Sequence, residues 1–250
     1  MASKNLFKII IHSLLAIFIL LGQFSIADDN YDYPIKNSIA ATVIGTPSEY
    51  KAALGNFPGY KTLKLKVYND RVTPKYFWYN DKISYGLLAQ KQQSPLIFIV
   101  AGTGGNYTGP KIKTLSQAYF NAGFHVVTLP SPTYMSFIIA ASNSSVPGLL
   151  DDDSHDLYNV MKLAWNTQLK QRIEVSDFFI TGYSLGGAQA AYITYIDEQQ
   201  KHFNFKKTLI LNTPVSLISS ANILDEYVNK SFPPDQGGTK FYEFWKKPGS

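Results

Sequence analysis

Apolar and polar residues change rhythm several times along this chain, and each rhythm predicts an element. The stretch KTLKLKVY at 61–68 alternates apolar with polar, and KYFWYNDKISYGLLAQ at 75–90 does the same on either side of an Asn80-Asp81 turn. A period of two places apolar side chains on one face only, so these segments predict antiparallel, half-exposed strands. PLIFIVAG at 95–102 is instead continuously apolar. That pattern predicts a strand buried on both faces of a parallel sheet.

The rhythm then becomes helical. Ile112, Leu115, Ala118, Tyr119 and Ala122 recur at the spacing of one helix face, and Gly123 supplies the stop. A second buried strand follows in HVVTLPSP, and then a long loop to about Asp153. From there DSHDLYNVMKLAWNTQL offers Asp and Ser as caps and sets Leu157, Val160, Met161, Ala164 and Trp165 on one stripe. The strand DFFITG, a helix from about Gly186 to Gln200 and the strand KTLILNTP complete the described rhythm. Strand and helix in alternation predict an α/β fold with a mostly parallel central sheet flanked by helices.

Candidate chemistry lies where DFFITG meets the helix. Gly182-Tyr183-Ser184-Leu185-Gly186 fits G-x-S-x-G, in which the glycines let a strand turn at once into a helix and hold the serine in a strained, exposed position. Gly187, Ala188, Ala190 and Ala191 then allow the helix to pack closely on the sheet. A serine attacking a carbonyl needs N–H donors for the negative oxygen that forms. The Leu185 N–H is one candidate, and Thr103, in the loop Ala101-Gly102-Thr103-Gly104-Gly105 after the first buried strand, is the other. The same glycines raise a phosphate-loop reading, but the following NYTGPK lacks a Gly-Lys-Ser/Thr.

In DFFITGYSLGG, and in PLIFIVAGTGG one strand–helix–strand–helix earlier, the chain resembles the α/β-hydrolases over roughly residues 60–217. The resemblance implies a serine hydrolase that cleaves an ester or related acyl bond through an acyl-enzyme. Ser184 would be its nucleophile, and Leu185 and Thr103 would be its oxyanion-hole positions. Ala101 departs from the pattern, since many members carry a histidine there. The family order is serine, then an acid, then a histidine, and that order is not completed here.

The chain has four histidines. His12 falls in the N-terminal apolar segment, and His125 opens a strand and so belongs at the sheet edge away from Ser184. His202 follows Ser184 by a helix of about 1.5 Å per residue, roughly 27 Å in all. His155, at a helix start that follows the carboxyl end of a strand, is the possible substitute base. Asp225, Glu226 and Asp235 read as surface charges of a segment that begins like a cap. The expectation is therefore a C-terminally incomplete hydrolase core. The alternative to an active enzyme is a catalytically inactive, truncated or degenerate protein of the same fold with a binding or interaction role.

Composition narrows the setting. Lys4 and Lys8 precede an apolar stretch that ends in Ser25-Ile26-Ala27, which predicts a signal peptide over 1–27 and export to the periplasm or the exterior. The segment would meet a membrane only if left uncleaved. The expected organisation is then 1–27 signal peptide, 28–217 hydrolase core and 218–250 the start of a cap or lid. With no cysteine, disulfides and thiolate metal sites are excluded. Of the formal charge of +5, Lys4 and Lys8 account for two, leaving +3 on residues 28–250. Those basic residues are scattered, which argues against nucleic acid. The expected partner is a small-molecule acyl substrate, and no metal or organic cofactor is implied.

Overall fold

The computed structural model describes residues 34–37, 40–41 and 44–231. Segment 1–27, with its expected signal peptide, and the chain from 232 onward lie outside the described residues. The chain divides into two units, residues 1–53 and 54–250. In the first, Asn37 Oδ1 accepts the Ala40 N–H at 2.9 Å, a side-chain cap on a short helical stretch, and a 3-10 turn covers Ser48–Tyr50.

The second unit is built on six strands: β1 (Lys61–Leu65), β2 (Ile83–Leu88), β3 (Ser94–Val100), β4 (His125–Leu129), β5 (Val175–Tyr183) and β6 (Lys207–Leu211). They lie in the order β1-β2-β4-β3-β5-β6. The pairs β1/β2 and β2/β4 are antiparallel, and β4/β3, β3/β5 and β5/β6 are parallel. The helices are α1 (Pro110–Asn121), α2 (Met135–Ala140), α3 (Leu150–Ala164), α4 (Leu185–Gln200) and α5 (Leu217–Ser231).

The continuous apolar run in β3 is explained by two cores. Leu96, Phe98 and Val100 face a cluster that includes Leu157 and Met161 of α3 and Ile193 of α4. Ile97 and Ile99 face the opposite cluster with Ile112 of α1. Both faces of the strand are covered, so alternation disappears from its sequence. Each such side chain contributes roughly 1.5–3 kcal/mol on full burial. The larger core is closed by Phe203, whose ring centroid lies 5.2 Å from those of Phe98 and Phe178 and 5.8 Å from that of Tyr158.

Asp197 holds that closure in place. Its Oδ1 accepts the Tyr158 hydroxyl at 2.6 Å and the Phe203 N–H at 2.9 Å, and its Oδ2 accepts the Phe205 N–H at 3.2 Å. A buried carboxylate with three donors is satisfied, as burial requires. Burial, and then Asp197 itself, push the Tyr158 hydroxyl well above its ordinary range.

Four local expectations are corrected. Residues 75–80 are not the first arm of a hairpin but a 3-10 segment, Lys75–Asn80, with Tyr76 and Trp78 exposed. β1 pairs with β2 along its length and β4 pairs with β2 on the other side, so the place beside β2 that a hairpin arm would take is already filled. β2 is buried rather than half-exposed. The expected long loop before Asp153 contains α2, and α3 starts at Leu150. Asp153 does not stand at the N-cap; from inside the first turn its Oδ2 accepts the Gly148 N–H at 2.9 Å. Among the described residues no helix is long and apolar enough to cross a membrane.

Candidate active site at the Ser184 turn

The strand order fixes where a ligand can sit. β3 is followed by α1 and then β4 on one side of it, whereas β5 leads through α4 to β6 on the other. Neighbouring parallel strands whose connections leave in opposite directions open a crevice beyond their carboxyl ends. The residues at that crevice are those that follow Val100 and Gly182, which are paired across β3 and β5.

Ser184 therefore stands at the end of β5, directly before α4. Its φ of 54° and ψ of −130° lie outside the regions that non-glycine residues favour, a strained turn of the expected kind. The surroundings hold this conformation. The Ser184 N–H donates to the Leu211 carbonyl at 2.9 Å, and the Ser184 carbonyl accepts the Gly187 N–H at 3.0 Å and the Thr213 hydroxyl at 3.1 Å.

The motif's glycines are required by proximity. A Cβ on Gly186 would sit 2.5 Å from the carbonyl oxygens of Val100 and Ala101, and one on Gly182 would overlap the Gly186 backbone. The helix start is thus pressed onto the end of β3 and the turn itself. Thr213 was not legible as a site residue, because its contact depends on how β6 ends beside the turn.

The loop after β3 comes to the same place. A Cβ on Gly102 would lie 2.8 Å from the Tyr183 ring and 3.2 Å from the Ser184 Cβ. Gly105 N–H donates to the Gly102 carbonyl at 2.8 Å, forming a tight turn with Thr103 and Gly104 at its centre. Gly104, at φ 62°, gives its N–H to Thr133 Oγ1 at 2.7 Å, and Ser131 N–H donates to the Gly105 carbonyl at 3.0 Å. Ser131 and Thr133, joined at 2.9 Å, brace the loop from the end of β4. Sequence reading missed both. Among the described residues, the Thr103 and Leu185 N–H groups donate to no protein acceptor.

A cavity of about 590 Å³ opens at Ser184, lined by Lys111, Thr114, Leu115, Tyr183, Leu211 and Asn212. No histidine or carboxylate is among these described residues. His155 lines a separate cavity with Tyr68, Asn143 and Asp156, and its Nδ1 lies 3.0 Å from the Asp151 carbonyl oxygen and 3.2 Å from Asp151 Oδ1. It is not among the residues that line the Ser184 cavity. His202 sits past the far end of α4 with its ring against Phe203.

His125 is buried at the start of β4. Its Nδ1 accepts the Gln90 N–H at 3.0 Å, so its proton rests on Nε2, 3.0 Å from the Glu174 carbonyl oxygen. Burial holds its pKa below the ordinary histidine value, with the Glu174 carbonyl acting in the opposite direction.

The sequence matches no family model and no curated protein. Solved structures do match. The esterase Pf2001 of Pyrococcus furiosus aligns with a TM-score of 0.52 and 13% identity, over 77% of this chain and 63% of that one. Est1E from Butyrivibrio proteoclasticus aligns at 0.40 and 15% identity, over 59% and 50%. A dienelactone hydrolase from Anabaena variabilis aligns at 0.42 and 13% identity, over 58% and 60%. The matched region thus spans 50–63% of these three proteins. Identities this low speak to architecture alone. On the match to the Pf2001 esterase and its own mostly parallel sheet flanked by helices, the chain has the α/β-hydrolase fold.

Proposed function

We propose that the protein hydrolyses an ester or related acyl bond at Ser184. The observation that carries this reading is the strained Ser184 turn packed against the Gly102–Gly105 loop, with the Thr103 and Leu185 N–H groups unused by the protein. In this reading the Ser184 hydroxyl adds to the substrate carbonyl, and the carbonyl π electrons move onto its oxygen. The Thr103 and Leu185 N–H groups stabilise that oxyanion; removing one such donor typically costs about 10²–10³-fold in rate. Collapse breaks the ester C–O bond, the proton given up by Ser184 goes to the departing oxygen so that it leaves as the alcohol, and water then cleaves the acyl-Ser184 to the acid and the free serine hydroxyl. The esterase names of the fold neighbours are in keeping with this chemistry but do not supply the substrate.

Proton removal from Ser184 needs a base. Among the described residues no histidine lines the Ser184 cavity; a serine hydrolase deprived of its base keeps roughly 10³–10⁴-fold over water from binding and oxyanion stabilisation. That same observation favours a second reading, a non-catalytic binding protein on this scaffold. A fluorophosphonate probe separates the two: an adduct on Ser184 supports hydrolysis, and unlabelled folded protein supports binding alone. Export of the protein, expected from residues 1–27, belongs to the proposal and is tested by fractionating cells that produce the full chain.

A further inference from the structure

The lining of the Ser184 cavity is neutral except at one position. Lys111, in the first turn of α1, is its charged member, beside Thr114, Leu115, Tyr183, Leu211 and Asn212. The Lys111 ammonium stands 5.5 Å from the centre of the Tyr183 ring, the residue directly before the nucleophile. α1 carries no carboxylate, and among the described residues Lys111 makes no ion pair. A cation left without an acid beside a concave site raises the local concentration of anions and holds them there.

We propose that Lys111 selects substrates that carry a carboxylate a few bonds from the ester carbonyl, such as monoesters of short dicarboxylic acids. The inference rests on reading this cavity as the ester site. Lys111 is solvent-exposed, so its pairing with a carboxylate is screened. Exposed ion pairs of this kind correspond to an affinity gain of at most about five-fold. Selection of this size sorts related esters without closing the site to neutral ones.

Lys113 provides the internal control. It lies on the same helix, but its ammonium stands over the Phe57 ring at 4.9 Å and does not line the cavity. Removing either lysine changes the net charge equally, so only a local effect distinguishes them.

The test measures binding rather than turnover, so that it does not depend on an active serine. Ligand-observed NMR titration of Ser184→Ala protein with monoethyl glutarate and with neutral diethyl glutarate gives the two affinities. The expected result is tighter binding of the monoester by about three- to five-fold, lost in Ser184→Ala/Lys111→Met and kept in Ser184→Ala/Lys113→Met. Equal affinity for both esters, no binding of the monoester, or a preference that survives Lys111→Met overturns the inference. Loss of the preference in both double variants equally also overturns it, because the effect would then belong to net charge. Fluorophosphonate labelling of the wild type reports on Ser184 separately, so failure of the hydrolase reading and failure of the Lys111 assignment give different patterns.

Discussion

Gly102 and Ser184 are packed so closely that a Cβ on Gly102 would lie 3.2 Å from the Ser184 Cβ. Two loops far apart in sequence are thereby brought to one point by the parallel pairing of β3 with β5. The candidate chemistry rests on this relationship. The loop supplies a turn with a free N–H group at Thr103, and the strand end supplies the hydroxyl.

Gly186→Ala tests how tightly that point is built. Its new methyl would meet the Val100 and Ala101 carbonyl oxygens at 2.5 Å, which forces the helix start away from β3. Overpacking of this kind costs about 1–3 kcal/mol. A melting temperature lower by about 2–4 °C per kcal/mol is expected. Thermal unfolding of the variant beside wild type checks it; an unchanged midpoint would mean that the turn is looser than described.

Tyr158→Phe should weaken the junction between α3 and the last turn of α4, where Asp197 sits. The variant removes the 2.6 Å hydrogen bond to Asp197 and leaves the carboxylate with its two backbone donors. A hydrogen bond to a charged group contributes about 1.5–3 kcal/mol, so urea midpoints should fall by a corresponding amount. Ser184 labelling should persist in the folded variant, since the change lies among core residues away from the cavity.

Acid should destabilise the protein through His125. Its folded pKa is lowered by burial, so the unfolded chain takes up this proton first as pH falls below about 6.5. The unfolded state then binds more protons, and stability declines between that pH and the lower folded value. Above about pH 6.5 the contribution is fully present. Urea unfolding at pH about 7.5 and about 5.5 should show a larger loss for wild type than for His125→Gln, which cannot gain the proton.

His155→Ala should leave Ser184 labelling within about two-fold of wild type, since exposed substitutions away from a site rarely matter. The two residues line separate cavities, and His155 is held by Asp151 in the first turn of α3. Labelling abolished in the folded variant would instead make His155 the base.

Much of the architecture was legible because burial writes itself into rhythm. The unbroken apolar run of β3 announced a strand covered on both faces, and the glycines around Ser184 announced a turn too crowded for any Cβ. Local pattern failed at 75–80, where an aromatic run suggested a strand although the place beside β2 is filled by β1 and β4. It also failed for Ser131, Thr133 and Thr213. Their hydroxyls brace the site across the sheet's end, a contact set by strand order rather than by neighbours in sequence. Lys111 was hidden for the same reason: nothing in α1 alone says that its first turn overlooks Ser184.

The central claim is that Ser184 is a nucleophile, and intact-mass analysis after incubation with a fluorophosphonate tests it most directly. The account predicts one adduct per chain, mapped to the peptide that contains Ser184 and absent from a folded Ser184→Ala variant. A folded wild-type protein that gains no adduct, or an adduct that persists in Ser184→Ala, would contradict it.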